Sequence, residues 1–73
     1  MAVALTKYPE KVELFMQRFY SSLNEKDQRH YVALEAHRLG HGGVNYIASV
    51  LGCSRQTIYS GLAELEKKQL STQ

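Results

Sequence analysis

The stretch Val44–Leu65, VNYIASVLGCSRQTIYSGLAEL, reads as two short helices joined by a tight turn. Val44, Ile47 and Leu51 line one apolar helical face, and the small Ala48 stands where a second helix must cross closely. Gly52 follows where the chain turns sharply, a place where a left-handed backbone is costly for any residue with a Cβ. Ser54 offers a capping hydroxyl, and Ile58, Leu62 and Leu65 repeat at i, i+4 and i+7. This spacing predicts a helix-turn-helix, the unit that lays its second helix in the major groove of DNA.

Working outward, the rest of the chain also reads as helical. Pro9 suits a first helical position, and Glu10 favours the positive end of the helix dipole. Val12, Phe15, Met16, Phe19 and Leu23 then form one stripe, which predicts an amphipathic helix over 9–23. Asn24 caps a central helix over 25–39, rich in good helix formers and stopping at Gly40. Its apolar residues spread around more than one face, as in a helix touched by several neighbours. Gly40-His41-Gly42-Gly43 is the connector to the helix-turn-helix over 44–67. The expected fold is a single all-α domain over 1–73, with about four helices and a homeodomain-like three-helix core lacking a wing.

Composition narrows the setting. The chain has 73 residues and a net charge of +2, enough for one domain and mildly basic, which permits nucleic-acid binding without demanding it. A lone cysteine, Cys53, excludes an intrachain disulfide and fits a reducing compartment. No apolar run has the length of a signal peptide or a membrane span, so a cytoplasmic, nucleoid-associated protein is expected.

The second helix of the motif carries the candidate site. With Ser54 as cap, Arg55 and Gln56 fall in the first turn, where a recognition helix reaches deepest into the groove. Arginine pairs with guanine O6 and N7, and glutamine with adenine N6 and N7. Ser54, Thr57, Tyr59 and Ser60 suit hydrogen bonds to phosphates or base edges, with Arg38 or His41 assisting. Arg55 opposes the helix dipole by roughly 0.3–1 kcal/mol, so its position points to an external anion. From Ala36 to Ala63 there is no Asp or Glu, which keeps this surface free of phosphate repulsion.

Other chemistries find little support. His30, His37, His41 and Cys53 lack the paired spacing of a structural zinc site, so no metal and no cofactor is expected, and the histidines read as surface groups. Cys53 falls where a small apolar residue belongs in the turn. No nucleophile–base motif and no phosphate-binding glycine loop after a strand is present, so catalysis is not expected.

A wider pattern adds to this reading. Ala33-Leu34-Glu35-Ala36, then Gly40-His41-Gly42-Gly43, then the helix-turn-helix closing on Gly61-Leu62-Ala63-Glu64-Leu65, resembles the N-terminal region of bacterial insertion-sequence transposases of the ISAzo type. The likeness runs from Leu23 to Lys67. It implies binding to the terminal inverted repeats of a mobile element. The downstream nuclease domain of that family, RNase H-like with acidic metal ligands, has no counterpart here, so recognition without strand transfer is expected. Ser60 stands where related sequences often carry a second arginine.

The leading expectation is sequence-specific binding of double-stranded DNA, in transposase end recognition or as a small regulator. One such module contacts a short site, and a homodimer through Val12, Phe15, Met16 and Phe19 would extend it, although the same stripe could simply cover the core. The alternative is an adaptor that uses the same helical shape to contact another protein.

Overall fold

A computed structural model describes residues 7–71, with side chains through Lys67. The described chain is all-helical, in the order α1 (Glu10–Ser21), α2 (Glu25–Leu39), α3 (Gly43–Leu51) and α4 (Arg55–Ser71). The reading of residues 1–6, and of the last two residues within the single domain, lies outside the described residues.

Local chemistry sets each boundary. Pro9 is not the first helical residue: its ψ of 154° is extended, and it starts α1 by accepting a bond from the Glu13 amide at 3.0 Å. Helix α1 ends two residues short of Leu23, where the Ser22 amide and hydroxyl both donate to the Phe19 carbonyl. Asn24 caps α2 by accepting from the Asp27 amide at 2.8 Å, satisfying one of the donors a helix start leaves open. Gly52 ends α3 with φ 68°, and its amide and that of Cys53 both donate to the Ala48 carbonyl. A residue with a Cβ would be strained there.

Helices α1 and α2 form an antiparallel hairpin. The Gln28 amide group donates to the Tyr20 carbonyl at one end, and the Tyr8 hydroxyl donates to Glu35 at the other. Helix α4 climbs α2 in the same direction: Thr57 lies by Gln28, Gly61 against Arg29 and Ala33, and Leu65 by His37. Helix α3 bridges α1 and α2. Its Tyr46 donates to Glu13 and accepts from the Tyr8 amide at 2.9 Å, and its Val50 carbonyl accepts from Gln17 at 3.0 Å.

The core sits where the four helices meet. Val32, Ile47 and Ile58 are fully buried, surrounded by Met16, Ala36, Tyr46 and Leu51. Of the residues expected to face inward on α4, Ile58 is sealed, whereas Leu62 and Leu65 are half-buried.

The stripe on α1 divides. Met16 is 7% exposed and belongs to the core, so it cannot line a dimer surface, whereas Phe15 and Phe19 are 54% and 52% exposed. Phe19 rests edge-on against Tyr31 of α2, ring centres 5.1 Å apart, and leaves its other face to solvent. Among the described residues, no helix is long and apolar enough to cross a membrane.

Candidate nucleic-acid interface

Helix α4 starts at a cap built from two hydroxyls. Ser54 Oγ accepts from the Thr57 amide at 3.1 Å and lies 3.0 Å from Thr57 Oγ1. Both side chains are therefore engaged in fixing the first turn. Thr57 also faces a groove bordered by Tyr20, Glu25, Gln28 and Arg29, in which one carboxylate and one guanidinium have opposite effects on a phosphate. These two residues position the start of the helix.

Beyond the cap, Arg55, Gln56, Tyr59 and Ala63 are exposed on α4. Their helical spacing places them on one side of the helix, away from buried Ile58 and Gly61. Gln56 reaches only a long contact, 3.4 Å, with the half-buried Ser60 hydroxyl. Arg55 donates from Nη1 to Asn45 Oδ1 at 3.2 Å, which draws its guanidinium across to the first turn of α3. No acidic residue lies in the first turn of α4.

Arg38 and His41 are placed differently. The Arg38 guanidinium donates to the Tyr8 hydroxyl and, at 3.4 Å, to Glu35, and it lies 5.9 Å from the centre of the Tyr8 ring. Glu35 and Tyr8 hold that guanidinium above its ordinary, already permanent, protonation range. Its hydrogen bonds thus tie α2 to the start of the described chain, and none of them reaches α4. His41 is exposed in the connector before α3.

His30 is not a free surface group. Its Nε2 lies 2.9 Å from Glu64 Oε1, while Arg29 Nε donates to Glu64 Oε2 at the same distance. The Arg29 hydrogen bond leads in lowering the Glu64 carboxyl below its usual range, with His30 adding to it. Glu64 thereby pins the middle of α4 to α2. Among the described residues, no three His, Cys, Asp or Glu side chains converge as a metal site would require. Burial pushes the Cys53 thiol up, which suppresses its thiolate.

Sequence reasoning missed Asn45, Ala63 and Glu64. Asn45 and Glu64 act through partners distant in sequence, which no local periodicity reveals. Exposed Ala63 was legible from its spacing, four residues beyond Tyr59. No protein-family model, curated protein or solved structure matches the chain.

Proposed function

We propose that this domain binds double-stranded DNA sequence-specifically, with the first turns of α4 in the major groove. The observation that carries the reading is the exposed pair Arg55 and Gln56 at the start of α4, on a span from Ala36 to Ala63 free of Asp and Glu. Arg55 reads guanine, Gln56 adenine, and Tyr59 and Ser60 contact the backbone. Ser54 and Thr57 hold the helix start, and His41 contacts phosphate from the connector. The groove beside Thr57 sets Glu25 against Arg29 and so offers phosphate no net charge, and the DNA lies against α3 and α4. The resemblance to insertion-sequence transposases makes terminal-repeat recognition the fitting role, with a small transcriptional regulator the other; no catalysis is assigned to these residues. Such a role places the chain with the cell's DNA, in the cytoplasm of a bacterium.

A second copy meeting the exposed Val12, Phe15 and Phe19 would double the recognised site and favour a palindrome. Sedimentation with and without duplex measures this.

The test of the reading is anisotropy on a duplex selected from a random pool, at low and moderate salt, with Arg55→Ala beside the wild type. Binding that weakens with salt and drops in the variant supports groove reading. The exposed Phe15, Phe19 and Leu34 favour a second reading, an adaptor for another protein. Absence of duplex binding even at low salt would leave that one standing.

A further inference from the structure

The Arg55 side chain does not lie along its own helix. Its guanidinium spans to Asn45 across a separation of ten residues, and the 3.2 Å bond joins two exposed side chains. An exposed contact of this kind contributes little to holding a fold together, because water replaces either partner readily. Three further observations make it informative. Arg55 is the only Lys or Arg from Gly43 to Ala63. It opens α4, where the helix dipole disfavours a cation. And its partner is a neutral amide, which orients the guanidinium without neutralising it.

The donor inventory then decides what the pair can do. A guanidinium carries five N–H donors in a rigid planar fork. One bond to Asn45 Oδ1 biases the orientation of the plane and leaves donors free for the paired acceptors O6 and N7 of a guanine. Asn45 retains both Nδ2 hydrogens, which a phosphate oxygen can accept. Helices α3 and α4 are thus joined at the point where a base would be read. Resting on the DNA-binding reading above, we propose that Asn45 is a positioning residue that sets specificity: it orients Arg55 toward a guanine. Asn45 supplies the geometry, and Arg55 makes the base contact.

The test uses the duplex selected by the wild-type chain and a copy in which the guanine that Arg55 needs is replaced by 7-deazaguanine, which lacks the N7 acceptor. Wild type should bind the natural duplex about tenfold more tightly than the copy, the size expected when a good bidentate contact is broken. Asn45→Ala should reduce that ratio severalfold, with little change in affinity for the 7-deazaguanine duplex. In an Arg55→Ala background, Asn45→Ala should have no further effect on the ratio. Asn45→Asp keeps the oxygen that holds Arg55, so it should retain the ratio while weakening both affinities through its charge. Neither position is buried, so no variant loses core packing, and the melting temperature should move by a few degrees at most, the scale of a charge or propensity change in a first helical turn. Equal losses on both duplexes in Asn45→Ala, additive effects with Arg55→Ala, or a selected site with no guanine requirement would overturn the proposal and leave DNA binding intact. Failure of the wild type to select any duplex would overturn both, whereas failure of Arg55→Ala to weaken binding would overturn this proposal and the pairing of Arg55 with guanine while leaving DNA binding intact.

Discussion

Gly61 of α4 lies directly on the backbone of Arg29 in α2: a Cβ there would stand 2.1 Å from the Arg29 carbonyl oxygen and 3.0 Å from the Ala33 Cβ. The obstacle is main chain, which cannot swing aside, so the helices must part to admit even a methyl group. In an unpacked helix Gly→Ala stabilises by about 1 kcal/mol. Here Gly61→Ala should instead destabilise by about 1–3 kcal/mol, as overpacking does, and lower the melting temperature by several degrees. Thermal unfolding followed by circular dichroism measures it, and a rise in melting temperature would contradict the close approach.

Glu64 makes stability depend on acid. Its carboxyl is held below the ordinary 4.5, first by the Arg29 hydrogen bond and then by His30. A group whose folded value is depressed contributes stability above its unfolded value, and loses it as pH falls through the folded one. The contribution is therefore complete near neutrality and disappears as pH drops below 4.5. Glu64→Gln should melt lower than wild type at neutral pH, and the gap should close in acid. A gap that stays constant across that window would show that the ion pairs do not couple to folding.

Core and strip on α1 and α3 should respond in opposite ways. Ile47 is fully buried, so Ile47→Ala should cost about 2–5 kcal/mol through lost burial and the cavity left behind. For a domain of this size that is a large share of total stability. Phe15 is 54% exposed, and Phe15→Ser should change stability by only about 0.5 kcal/mol or less. Urea titrations of the two variants make the comparison.

Cys53 should react slowly. Its thiol is half-buried and pushed up by that burial, so little thiolate is present at neutral pH. Alkylation by iodoacetamide is expected to lag behind that of free cysteine in the folded protein and to reach the same rate in urea. Equal rates in both states would mean the turn opens freely.

Much of the fold was legible because the relevant signals are local. Asn24, Gly52 and Ser54 each satisfy or end a helix through atoms within five residues, and such caps can be read from sequence order alone. The stripe on α1 was visible too, but its division into buried Met16 and exposed Phe15 and Phe19 was not. That division depends on how α1 crosses its neighbours, and a periodicity records only which residues share a side. The site followed the same rule. The first turn of α4 could be named from the sequence, whereas Asn45 on Arg55, and Arg29 and His30 on Glu64, join residues 10, 35 and 34 positions apart. Arg38 illustrates the converse: a cation near the motif in sequence, it donates to Tyr8 and Glu35, both outside the motif.

The solitary cation between Gly43 and Ala63 also bears on how such a domain would find its target. Lingering on arbitrary sequence depends on many lysines and arginines displacing the ion cloud around the duplex, and it is that lingering which allows a protein to slide. A face with Arg55 alone would dwell only briefly on random DNA and scan little of it in one dimension. Its search would be a succession of short three-dimensional encounters, productive only where the matching bases stand. Occupancy would then be governed by local abundance: two copies joined together, or one copy tethered near its site, would experience an effective concentration in the millimolar range. Arrangement in multiples, rather than stronger attraction, is the economical route to tight binding for a face of this charge.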